Sequence, residues 1–82
     1  MHKTYRTKGT CSVKIDFEID EQGRIHDITY LGGCDGNLKA VGILAEGRPA
    51  SEVAALLRGI TCGFKKTSCG DQLASAIREA GY

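Results

Sequence analysis

At 82 residues the chain has room for one domain, because so short a polypeptide buries enough surface for only a single modest core. Eleven Lys and Arg against ten Asp and Glu leave a formal charge of +1, too weak a field to gather nucleic acid or anionic lipid. No apolar stretch approaches the roughly 20 residues that cross a bilayer, and the polar opening Met1-His2-Lys3-Thr4-Tyr5-Arg6 is unlike a signal peptide, so the expectation is one cytoplasmic domain over residues 1–82 with neither a membrane nor a nucleic-acid partner.

Taken in chain order, residues 3–7 read as a short strand through Tyr5. From Cys11 to Ile19 the residues alternate. Cys11, Val13, Ile15, Phe17 and Ile19 share one face, and Lys14, Asp16 and Glu18 the other, the signature of a half-buried strand. Asp20-Glu21-Gln22-Gly23 is turn chemistry, with Gly23 able to take positive φ. Arg24 to Leu31 is the returning strand. If His26, Ile28 and Tyr30 join the apolar face, Ile15 lies opposite Ile28 and Cys11 opposite Gly32; a slip of one residue puts Cys11 opposite Gly33.

After the loop Gly32-Gly33-Cys34-Asp35-Gly36-Asn37, Leu38, Val41, Gly42 and Ala45 recur at helical spacing, and Gly47 ends this first helix. Pro49 suits the first turn of a second helix, in which Val53, Leu56, Leu57 and Ile60 repeat the pattern until Gly59 interrupts it. Ser68 is a cap for a third helix. Asp71 stands three residues later as the partner of a capping box, and Leu73, Ala76, Ile77 and Ala80 form the buried stripe. The predicted fold class is α+β: a small antiparallel sheet, either a hairpin or a three-stranded meander, followed by three helices packed on one face.

Four cysteines in so short a chain call for an account. Disulfide frameworks belong to secreted proteins, and no secretory segment is visible, so metal or redox chemistry is the better expectation. A strand starting at Cys11 and one ending just before Cys34 have those termini at the same end of an antiparallel hairpin. A flexible Gly-Gly turn can then bring both sulfurs to one ion. Cys62 and Cys69 bracket the loop between the second and third helices, where Lys65 and Lys66 add positive charge. Cys69 is at the first position of a capped helix, where unpaired N–H groups favour a thiolate. The ligand set read from this pattern is Cys11, Cys34, Cys62 and Cys69, with zinc as the expected metal and an iron–sulfur cluster as the alternative.

Two other readings stay open: inert buried thiols, and a thiol–disulfide carrier in which Cys62 and Cys69 exchange electrons with a reductase. His2 and His26 are more simply packed or solvated side chains than ligands. Asp16 and Glu18 are solvent-facing charges. No catalytic triad, dinucleotide fingerprint or phosphate loop is present, and no catalytic residue is assigned.

The segments Gly9-Thr10-Cys11-Ser12, Gly32-Gly33-Cys34-Asp35-Gly36-Asn37 and Thr67-Ser68-Cys69-Gly70-Asp71-Gln72-Leu73-Ala74 resemble the TSCPD domain family over nearly the whole chain. Gly70 stands where the family's name-giving pentapeptide has proline. That family occurs as short free-standing proteins and as a C-terminal module of adenosylcobalamin-dependent ribonucleotide reductases, where its cysteines are thought to hold metal. The resemblance implies an accessory role near deoxynucleotide synthesis, with a ribonucleotide reductase as partner. It does not imply catalysis by this chain alone, which lacks the barrel, radical cysteine and cobalamin site of nucleotide reduction; a reductase label would be inherited from the larger enzyme. The element order also resembles the U-type iron–sulfur scaffold proteins, which implies an alternative in which Cys11, Cys34 and Cys69 assemble or carry an iron–sulfur cluster. Those proteins carry histidine immediately before the last cysteine, and here that residue is Ser68.

Overall fold

A computed structural model describes residues 1–10, 12–33 and 35–82. Three strands, β1 (His2–Arg6), β2 (Ser12–Ile19) and β3 (Ile25–Gly32), form one antiparallel sheet in the order β1-β2-β3. Helices α1 (Asp35–Ala45), α2 (Ala50–Leu57) and α3 (Cys69–Glu79) follow. The meander form of the expected α+β fold is therefore the one adopted, and the short strand through Tyr5 exists as its edge.

The core forms where the alternation predicts it. Ile15, Phe17, Ile19 and Ile25 of the sheet meet Leu73 and Ile77 of α3, with Ala45, Ala50, Val53, Ala54, Ala74 and Ala76 filling between them. Burying each of the large side chains is worth about 1.5–3 kcal/mol. The other face of β2, with Lys14, Asp16 and Glu18, stays partly open to solvent. α1 packs on β3 and α2 on α3. Gly42 is the close-approach point of α1, since a Cβ there would stand 3.1 Å from the backbone oxygen of Ile28.

Two irregularities of the hairpin correct the expected register. Ser12 pairs with Gly32 but Lys14 pairs with Leu31, so Val13 is an extra residue on β2. It points outward at 49 % exposure rather than sharing the face of Ile15. Asp16 pairs with Thr29 and Glu18 with His26, leaving the extra residue on β3. Asp27 absorbs it with φ of 55°, a left-handed conformation that aspartate tolerates better than most residues. Ile15 thus lies opposite Tyr30, not Ile28, and His26 turns away from Ile28 and Tyr30 toward Asp20 and Glu46. The Ser12–Gly32 pair has the spacing of the one-residue slip; Cys11, to which both expected pairings referred, lies outside the described residues.

The helices differ from expectation at their edges. α1 begins at Asp35, so Asp35, Gly36 and Asn37 belong to its first turn rather than to the loop. Pro49 is the residue before α2 and not within it. Leu56 and Ile60, placed on the buried stripe by spacing, are 63 % and 49 % exposed, while Val53 is buried. An eight-residue helix with one neighbouring helix buries only a narrow stripe. Among the described residues no helix is long and apolar enough to cross a membrane.

Candidate functional site

One end of the hairpin meets the first turn of α3. Cys69 is the first residue of α3. Ser68 caps it, accepting a hydrogen bond from the Asp71 N–H at 3.1 Å and donating its hydroxyl to the Ile60 carbonyl at 2.6 Å. The first turn forms with Gly70 in place of proline.

Asp71 does not close the expected capping box. Its carboxylate instead accepts the Gly59 N–H at 2.7 Å and the Thr67 hydroxyl at 2.5 Å. These two donors, Thr67 first, hold its pKa below the usual carboxylate value. Asp71 thereby ties the end of α2 and the Cys62-bearing loop to α3. The loop is further closed by Cys62 N–H to the Thr67 carbonyl, 3.1 Å, and Lys65 N–H to the Cys62 carbonyl, 3.0 Å.

Cys69 is half-buried, and its Sγ lies 3.2 Å from the Ser12 hydroxyl. Ser12 is 6 % exposed, and its hydroxyl is also 3.0 Å from that of Thr10. Its carbonyl accepts from the Thr7 hydroxyl at 2.6 Å. From the other side of the hairpin, Gly33 adopts φ of +84°, and a Cβ there would stand 2.9 Å from Leu38 Cδ1 and 3.4 Å from Ser12. Glycine is required at that position both by the backbone and by this approach. Tyr30 reaches up from β3 to donate its hydroxyl to the Cys69 carbonyl at 3.0 Å. Burial, and then the charge at Cys69, push the Tyr30 phenol well above the ordinary tyrosine value.

Gln72, 8 % exposed, joins the β1–β2 loop to this junction. Its Oε1 accepts the Lys8 N–H and its Nε2 donates to the Thr67 hydroxyl, both at 3.0 Å. Beside these residues opens a cleft of about 380 Å³ whose walls include Thr10, Leu38, Leu57, Cys62, Lys65 and Cys69.

Of the four expected ligands, Cys62 and Cys69 thus line one cleft, Cys62 exposed and Cys69 half-buried. Cys11 and Cys34 lie outside the described residues, and so does the expected convergence of their sulfurs. Among the described residues no group of three or more His, Cys, Asp or Glu side chains can hold a metal ion. The donor set nevertheless fits a thiophilic metal in composition, and Ser12, which follows Cys11, contacts Cys69, while Thr10 and Gly33, which precede Cys11 and Cys34, lie against Ser12. Ser12, Tyr30 and Gln72 went unassigned to the site by sequence reasoning. Only Gln72, a long amide beside the apolar stripe of α3, carried a signal that could have found it.

Both histidines lie against carboxylates. His2 pairs with Glu18 at 2.9 Å on the exposed sheet face, and His26 is held between Asp20 and Glu46 far from Cys69 in sequence and on the turn side of the sheet.

Comparison with curated proteins and with solved structures gives no match. A comparison with family models matches the TSCPD domain over residues 2–81. With its strand, turn and capped-helix segments accounted for by one family model along nearly its entire length, this chain belongs to the TSCPD domain family.

Proposed function

We propose that this domain holds a single metal ion, zinc, through Cys11, Cys34, Cys62 and Cys69, and serves as a non-catalytic accessory module of a ribonucleotide reductase. The observation that carries the metal reading is the 3.2 Å approach of Cys69 Sγ to Ser12. It brings the first turn of α3 against the residue that follows Cys11, while Gly33, which precedes Cys34, packs on the same serine. The helix N-terminus at Cys69 favours the thiolate that a metal requires. Zinc held by four thiolates would cross-link three loops of a small core. The reductase partnership rests on the occurrence of the family as a C-terminal module of those enzymes.

The exposure of Cys62 favours one second reading, a three-thiolate site of Cys11, Cys34 and Cys69 that builds or passes on an iron–sulfur cluster. Reducing, anaerobic purification followed by elemental analysis and an absorption spectrum separates them. Near-stoichiometric zinc without visible absorbance supports the four-thiolate site, and brown protein with a charge-transfer band supports the cluster. Metal-free protein whose Cys62 and Cys69 titrate as a reversible pair overturns both in favour of a redox carrier. The partnership is tested by co-purification of the chain with purified reductase, where no complex at micromolar concentrations rejects it.

A further inference from the structure

Helices α1 and α2 make little contact with one another, because α1 is held on β3 and α2 on α3. Between them runs a groove of about 280 Å³ lined by Val41, Leu44, Arg48, Val53, Leu56 and Leu57. Leu44 and Leu56 are 69 % and 63 % exposed, so two leucines on facing walls stand in water. Past Val41 and Leu57 the groove continues into the cleft beside Ile60 and Lys65, and beyond it Phe64 is fully exposed. An apolar surface of this extent with a polar rim is the form of a helix-in-groove interface.

Charge selects the occupant. From Val53 to Gly70 the chain carries Arg58, Lys65 and Lys66 and no carboxylate. None of these three makes an ion pair among the described residues. At the opposite end of the groove Arg48 is balanced by Glu52 at 3.2 Å. Lys65 lines the cleft end of the groove, Arg58 and Lys66 adjoin Leu57 and Lys65 in the chain, and the one carboxylate near them, Asp71, is held by the Gly59 N–H and the Thr67 hydroxyl, so cations outnumber carboxylates there. A second copy docked about a two-fold axis would bring to the cationic end only Glu52, which is already paired with Arg48, and a nucleic acid offers no aliphatic anchors for Leu44 and Leu56.

We propose that the α1–α2 groove docks an amphipathic helix of another protein, with aliphatic anchors at one-turn spacing and a cluster of carboxylates over Arg58, Lys65 and Lys66. The α1–α2 groove itself is lined by no thiol, but its cationic end opens into the cleft that Cys62 and Cys69 line, so the titration is made on chain prepared both with and without a chelator.

Isotope-labelled full chain is titrated with a synthetic helical peptide bearing Leu at one-turn intervals and three terminal Glu residues, and with the same peptide carrying Lys in place of Glu. The acidic peptide should shift the amides of Val41, Leu44, Leu56 and Leu57 and bind about tenfold or more tightly than its charge-reversed form, the difference shrinking in high salt. Leu56→Glu should abolish binding. Should that variant lose its fold by circular dichroism, Lys65→Glu with Lys66→Glu, both on an exposed loop, decides the matter by reversing the peptide preference. Absence of shifts at the groove, equal affinity for the two peptides, or a dimer in sedimentation that Leu56→Glu dissolves would each overturn the proposal.

Discussion

The Tyr30 hydroxyl donates to the Cys69 carbonyl at 3.0 Å, a bond from the third strand to the first residue of the last helix. Tyr30→Phe keeps the ring and removes that donor, so denaturation in urea should show a loss of about 1 kcal/mol. The variant should also change the alkaline limb of stability. With the folded-state phenol raised by burial and by the nearby charge at Cys69, the unfolded chain ionises first, and wild-type stability falls as pH rises past about 10. The phenylalanine variant should lack that contribution; an identical alkaline slope in both proteins would mean that the phenol is not raised in the folded state.

At the other end of the sheet, His26 sits between Asp20, 2.7 Å from its Nε2, and Glu46, which meets its Nδ1. Hydrogen bonding to Asp20 and then to Glu46 raises the His26 pKa above 6.5. The folded state thus binds the proton more tightly than the unfolded one, so the stabilisation is complete below about 6.5 and is lost as pH rises through the raised value. Both carboxylates are lowered, Asp20 first by His26 and Glu46 first by the Asp27 N–H. Their contribution is present above the usual carboxylate range and lost in acid. Thermal unfolding should accordingly give a higher Tm near pH 6 than near pH 9, a difference that His26→Gln abolishes. A His26→Gln protein retaining the full wild-type dependence would assign it elsewhere.

The period-2 run of β2 and the period-3.6 stripes of the helices are backbone geometry written into side-chain order, and they located every element and most of the core. What they could not locate were the two bulges. Nothing about Val13 or Asp27 marks an extra residue, because bulges answer to the competition between pairing and burial along the whole sheet. One consequence is that Ser12, adjacent to an expected ligand, turned out to be the contact of Cys69. Another is that His26 left the apolar face. The helical pattern likewise cannot tell a buried leucine from one waiting at a groove, which is why Leu56 was misplaced. At the candidate site, the helix-capping sequence correctly put Cys69 at the start of α3, but the partners of Asp71 come from loops whose path no periodicity encodes.

Asp71 offers a direct check on how the Cys62 loop is held. Asp71→Ala strips acceptors from the Gly59 N–H and the Thr67 hydroxyl, and stability should fall by about 1–3 kcal/mol at neutral pH. Because its pKa is lowered in the folded state, the contribution is present above about 3.9 and lost as pH falls through the folded value, so the two proteins should converge in acid. Hydrogen exchange at the Gly59 amide should accelerate selectively. Unchanged exchange there would place the carboxylate outside the loop's support.

Cys69→Ser separates ligation from packing. Serine is compatible with the first turn of a helix, and the cap survives the change, because Ser68 accepts the Asp71 N–H independently of residue 69. The contact with Ser12 also survives in kind, a hydroxyl meeting a hydroxyl. What is lost is a thiolate. If Cys69 is a ligand, the metal-loaded protein should lose several kcal/mol on substitution, since binding free energy to the folded state is folding free energy. After a chelator has stripped both proteins, the difference should nearly vanish. The measurement is a set of four denaturation curves, wild type and variant, each with and without chelator. An equal cost in both conditions would make Cys69 a packing residue held against Ser12, and the four-cysteine site would then have no place for it.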